Sequence, residues 1–164
     1  MAHSITGKST TSWAMLNSGF SYMSDELAPL APGTLLIHPY PHALCLKGEP
    51  PLFALPENSL MTTRTIHVPV ELSGGGECLA PVTLKYIFYL EFDEDIAEPD
   101  IRKISTAEAS AKLYSNSLNI LAHEKGEHGI LAAISVAKQT ENYALKSNHL
   151  DKTCEQMKIL MDNN

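Results

Sequence analysis

Thr6-Gly7-Lys8-Ser9-Thr10-Thr11 opens the first helix-like run of the chain, and how it is read decides the fold. Gly7-Lys8-Ser9 is the back half of the phosphate-loop pattern G-x-x-x-x-G-K-[ST]. In that pattern backbone amides at a helix start cradle phosphates, the lysine reaches the terminal phosphates and the hydroxyl holds magnesium. The front half departs from the pattern. Ala2 stands where the first glycine belongs, and His3 and Ile5 fill places where a tightly curled backbone favours small residues.

Working outward, residues 8 to 18 carry apolar side chains at Trp13, Ala14 and Leu16 and close at Ser18-Gly19 as a helix end does. A short strand is predicted over Phe20-Ser21-Tyr22-Met23, ending in Asp25-Glu26. Two acids at the carboxyl end of a strand, one helix after a phosphate loop, stand where a phosphoryl-transfer enzyme needs a magnesium ligand and a proton acceptor. The competing reading is a chance Gly-Lys-Ser ahead of an ordinary amphipathic helix.

The stretch Gly7-Lys8-Ser9-Thr10-Thr11, the run from Asn17 to Leu30 and the segment Ile37-His38-Pro39-Tyr40-Pro41-His42-Ala43-Leu44-Cys45-Leu46-Lys47 resemble the HPr kinase family. The likeness is greatest to its divergent HPr-kinase-related branch, and its sharp motifs lie in the first 47 residues. The resemblance implies a fold related to phosphoenolpyruvate carboxykinases and transfer of a phosphoryl group from ATP to a serine hydroxyl of a protein or peptide. It implies nucleotide contacts from Thr6, Gly7, Lys8, Ser9 and Thr10, with Lys8 on the β- and γ-phosphates and Ser9 on Mg2+. It makes Asp25 the base that takes the substrate proton and Glu26 an assistant at the metal, where the family commonly has a second Asp.

The family also places a hydrophobic strand ahead of the loop, whereas Met1 here stands almost inside it. On this reading the chain is an N-terminally truncated or degenerate member of the family, or Met1 is not its true start. Loss of that strand and of the first loop glycine leaves a second function open: a non-catalytic nucleotide-binding or protein-interaction module of the same fold. It also leaves a sheet position that a partner, or a second copy in a homo-oligomer, can fill.

The expected architecture is a single α/β domain over residues 1–164, with a mixed sheet, the phosphate loop at its start, a β-rich middle and an α-rich end. A chain of this length can bury a sizeable core without disulfides. Its net charge of -7, with no cluster among twelve Lys and Arg, argues against a nucleic-acid surface. Cys45, Cys78 and Cys154 are far apart and in no C-x-x-C arrangement, so they read as reduced thiols of a cytoplasmic protein. No secretory pattern and no apolar run of membrane-spanning length is present, so no membrane partner is expected.

In the middle, Leu27 to Leu30, Ala31-Pro32-Gly33 and Thr34 to Ile37 predict a hairpin. His38 and His42 are four apart, but the intervening prolines forbid the helix that would put both on one face, which disfavours a metal pair. Lys47 and Arg64 are candidate phosphate cations, each equally readable as a solvated side chain. Thr65 to Val70 predicts a strand confined by Pro69 to an edge or bulge, and Ser73-Gly74-Gly75-Gly76 a turn or loop.

Val82 to Phe92 reads as the most buried strand, and the acids of residues 91–100 as a solvated loop. Ser105-Thr106-Ala107-Glu108 is a capping box opening a helix that runs to about Ala122. A helix over Ile130 to Ala137, a short strand at Tyr143-Ala144-Leu145 and a helix from about His149 to Met161 complete the chain.

Overall fold

The computed structural model describes residues 7–31, 33–40, 42–72, 75–117 and 127–163. The chain is a mixed α/β protein: helix α1 (Lys8–Asn17), short strands β1 (Leu36–Ile37), β2 (Leu44–Leu46), β3 (Leu60–Met61) and β4 (Ile66–Val68), and a 3-10 turn at Val70–Leu72. Then come β5 (Val82–Thr83), β6 (Tyr86–Phe92), β7 (Asp100–Lys103), α2 (Thr106–Asn116), α3 (Glu127–Gln139), β8 (Glu141–Ser147) and α4 (Leu150–Asp162).

In place of one mixed sheet there are three small ones among the described residues. β1 pairs with β5, β2-β4-β3 forms an antiparallel sheet, and β6-β8-β7 forms a mixed sheet in which β6 and β8 are parallel and β7 is antiparallel. The first core lies where α1 meets β2-β4: Trp13 and Leu16 pack with Tyr22, Leu44, Leu46, Ile66, Val68 and Val70. Alternation along the strands explains this. Leu44 and Leu46, opposite Val68 and Ile66, point to the helix, while Cys45 and His67, paired with each other, point the other way. The buried indole N–H of Trp13 is satisfied by the carbonyl of Leu52 at 3.2 Å, on a turn where Phe53 adopts a φ of 63°.

The second core has Ile104, Ala109 and Ala137 under α2 and α3, with Tyr89, Leu113 and Ala144 against them. Ser105 caps α2 by accepting from the Glu108 N–H at 3.2 Å. Only half of the capping box forms through Glu108, since its carboxylate turns to Arg102 at 3.1 Å.

Three strand expectations change. Ile66–Val68 ends before Pro69, so it escapes the missing proline N–H and becomes the central strand of its sheet. The run from Val82 splits at residues 84–85, and Tyr86–Phe92 is an outer strand of half-buried residues. The central position belongs to β8, seven residues long, with Asn142, Tyr143 and Leu145 buried. The hairpin of residues 27–37 is shorter than expected, with one antiparallel bridge, Leu30 with Ile37, held by Ala31 N to Leu36 O and His38 N to Pro29 O, each at 2.9 Å, while β1 also pairs with β5.

The glycine cluster has a closer role than a loose loop. Ser73 and Gly74 lie outside the described residues. Gly76 O accepts from Tyr22 N at 2.8 Å and Cys78 N donates to Tyr22 O at 2.7 Å, forming a parallel bridge. Gly75 packs so closely that a Cβ would sit 1.7 Å from Phe20 O.

Candidate functional site around Ser9 and Asp25

Gly7, at φ 72°, is the N-cap of α1, and no side chain caps the helix among the described residues. The amides of its first turn therefore point outward beside Lys8, whose side chain is exposed, and the helix dipole adds positive potential there. Thr6 lies outside the described residues, as do Ala2, His3 and Ile5.

Tyr22 is held to residues 76–78 by the parallel bridge, so the expected strand before the acids is a single bridged residue. That anchor is enough to set the next turn. The Ser24 hydroxyl accepts from the N–H groups of Glu26 and Leu27, at 3.3 and 3.1 Å, and the two adjacent acids differ sharply in burial. Asp25 has a side chain only 1% exposed, whereas Glu26 is 63% exposed.

Three donors converge on the buried carboxylate. Ser9 Oγ donates to Asp25 Oδ2 at 3.0 Å, the Tyr22 hydroxyl donates to Oδ1 at 2.8 Å, and Cys45 N–H donates to Oδ2 at 3.3 Å. The last bond uses the outer edge of β2, an amide its sheet leaves unpaired. Asp25 thereby ties α1, the bridged segment and β2 together, and a carboxylate so surrounded is satisfied despite its burial. Burial first, then the hydrogen bond to Asp25 and its charge, pushes the Tyr22 phenol far above the usual tyrosine range.

The segment after His38 returns to the acids through Tyr40 N, which donates to Met23 O at 3.3 Å. His42 Nδ1 donates to Ala43 O at 2.8 Å, and this fixes the tautomer and turns Nε2 to the acids. Nε2 lies 3.7 Å from Asp25 Oδ1 and 4.0 Å from Glu26 Oε2, within ion-pair reach but beyond hydrogen-bond reach. Beneath, the Cys45 thiol lies 3.3 Å from His67 Nδ1, and His67 Nε2 meets Thr65 Oγ1 at 3.0 Å. Burial, followed by the charges of Asp25 and Glu26, raises the Cys45 pKa and favours the neutral thiol.

The structure thus brings Ser9 and Asp25 together and leaves Glu26 facing outward. Arg64 and Lys47 are exposed, and Thr10 lines a cavity on another side of α1. Tyr22, His42 and Cys45 are members that sequence reasoning missed. The signal for His42 was present in the prolines: by excluding a helix they separate it from His38, whose side chain is exposed, and only His42 meets the acids.

Among the described residues no cluster of three or more His, Cys, Asp or Glu is arranged to hold a metal ion. A hydroxyl and one carboxylate nonetheless suit Mg2+, which keeps several waters and takes its remaining oxygens from phosphates. Ser9 Oγ and the Asp25 carboxylate are oxygens of the kind this ion takes, and in this structure they are hydrogen-bonded to each other at 3.0 Å.

Comparison of the chain with protein-family models, with curated proteins and with solved structures gives no match.

Proposed function

We propose that the chain is an HPr-kinase-like phosphotransferase, binding Mg-ATP at the start of α1 and moving the terminal phosphoryl group to a serine hydroxyl of a protein or peptide. The observation that carries this reading is the contact of Ser9 with Asp25 at 3.0 Å: the hydroxyl of the Gly-Lys-Ser turn and a buried acid sixteen residues on meet at an uncapped helix start.

The residues divide the work as follows. The first amides of α1 and the Lys8 ammonium draw the polyphosphate to one point and hold it there. Ser9 and Asp25 hold the magnesium ion, which when bound offsets charge on the phosphate oxygens. Burial suits Asp25 to that role better than to meeting a bulky substrate. Glu26, exposed and adjacent, is the carboxylate an incoming serine can reach, with His42 Nε2 next in line for the proton. A loose transition state asks little of the base, so alignment and charge carry most of the rate.

The test is calorimetry of Mg-ATP against the full chain, with phosphoryl transfer to serine peptides followed in parallel. Micromolar binding by the parent, lost in Lys8→Ala, is the expected result. Glu26→Gln is expected to keep the affinity and lower turnover about 100-fold, in the range for one acid–base group. A parent chain with no affinity for Mg-ATP sinks the proposal.

A further inference from the structure

β6 has the makings of an interior strand but stands at an edge. In the order β6-β8-β7 only one of its sides is paired. Its two faces carry apolar side chains that reach helices: Tyr86 Oη donates to the Met161 carbonyl of α4 at 3.5 Å, and Tyr89 Oη to the Ala109 carbonyl of α2 at 3.1 Å. Phe88 stacks on Tyr143 with ring centroids 5.5 Å apart. Strands apolar on both faces belong to the covered interior of a sheet.

The bonds to β8 fix which backbone groups are left over. Glu141 N donates to Lys85 O at 2.9 Å, and Asp93 N to Ser147 O at 3.4 Å. In a parallel pair alternate residues bond to the same neighbour, so the odd-numbered residues from Lys85 to Asp93 face β8. The N–H and C=O groups of Tyr86, Phe88, Leu90 and Phe92 point to the open edge, where no backbone bond reaches them among the described residues. Nothing blunts this edge: between Lys85 and Glu91 there is no charge, proline or glycine. Such a run is a template for another strand.

Charge says which strand fits. Lys85, exposed, stands just before the template, and Glu91 and Asp93 stand at and beyond its end. A second β6 laid antiparallel, Tyr89 opposite Tyr89, pairs Tyr86 with Phe92 and Phe88 with Leu90, so every outward group is used. It sets Lys85 opposite Asp93 and diagonal to Glu91, at both ends. Glu91 is already held by Lys146 at 3.0 Å, so Asp93 is the acid that meets the lysine. Parallel self-pairing would instead set like charges side by side.

We propose that the chain self-associates through β6, as a two-fold dimer whose sheet continues from one copy into the other, with Lys85 of each copy opposite Asp93 of the other. The inference stands apart from the phosphotransfer reading and needs neither nucleotide nor metal. An axis through Tyr89 makes the contact isologous, so it closes at two copies and leaves no β6 edge to recruit a third.

Sedimentation equilibrium of the full chain over a concentration series, with amide hydrogen exchange followed in parallel, tests this. The parent is expected as a species of twice 17.9 kDa, with the Phe88 and Leu90 amides protected in step with the dimer fraction. Lys85→Glu and Asp93→Lys each set like charges together at both ends, and each is expected to weaken the dimer about ten-fold. The chain carrying both changes is expected to dimerise as the parent does, which also reports an intact fold. An equimolar mixture of the two single variants is expected to form the mixed dimer. A parent that stays monomeric throughout the series overturns the proposal. Freely exchanging outward amides would then leave the edge to solvent or to a strand of another protein, and protected ones would show a strand of the same chain on it. A dimer indifferent to the charge swaps also overturns it, placing the contact on another surface.

Discussion

Replacing Tyr22 by Phe keeps the ring in the first core and deletes one oxygen. In the parent that oxygen donates at 2.8 Å to Asp25 Oδ1, on a carboxylate that is 1% exposed. Hydrogen bonds to charged groups contribute roughly 1.5–3 kcal/mol net, and the acid left behind keeps fewer partners in a buried site. Tyr22→Phe is therefore expected to lower stability by about 2 kcal/mol at neutral pH, or about 4–8 °C in Tm for a chain of this size. Trp13, the single tryptophan, is buried in the same cluster, so its fluorescence in a urea titration reports the transition. The pH dependence gives an independent check. The Tyr22 pKa is raised in the folded state, so the fold binds that proton more tightly than the unfolded chain does, and the stability it contributes is full below about pH 10 and falls above it. The gap between parent and Tyr22→Phe must then narrow above about pH 10. Tyr89, pushed up to about 12 by burial, loses stability in the same direction but is present in both proteins and cancels. A difference below about 0.5 kcal/mol at pH 7, within the scatter of neutral surface substitutions, or a gap that stays constant into the alkaline range, would refute the role assigned to the Tyr22–Asp25 bond.

Gly75→Ala puts a methyl 1.7 Å from Phe20 O and 3.0 Å from Leu16 O, both backbone atoms that cannot swing aside. It should cost about 2 kcal/mol or more, and a near-parent thermal melt would argue against the close packing. Gly76→Ala, with a φ of 62° but nothing within 4 Å, should cost only about 1 kcal/mol. Ser105→Ala removes the acceptor for the Glu108 N–H and should cost about 1 kcal/mol, visible as faster hydrogen exchange at that amide; unchanged exchange would show that the cap contributes nothing.

The elements legible in advance are those whose reasons are local. α1, α2, α3 and α4 appear where apolar spacing, Ser105 and the Ser18-Gly19 ending place them, because helical hydrogen bonds join residues four apart. α2 stops at Asn116, with Ser117 extended, short of the predicted end at Ala122, and residues 118–122 lie outside the described residues. The strands were harder. Tyr86–Phe92 has the more apolar run, yet β8 takes the centre, since order within a sheet is set by which distant strands pair and not by composition.

At the site, the sequence by itself determined that Gly7-Lys8-Ser9 opens a helix and that two acids follow it within a turn of Tyr22. Only the tertiary structure decided that Asp25 turns inward to Ser9 while Glu26 faces solvent. A rotation about one residue separates those outcomes, and it is fixed by contacts from residues 42, 45 and 75–78, far along the chain. The same holds for the cavity beside Thr10, whose walls are four segments more than thirty residues apart in sequence. Local pattern specifies which backbone conformation a segment adopts; which side chains meet is settled by long-range packing, whose free energy no single stretch contains.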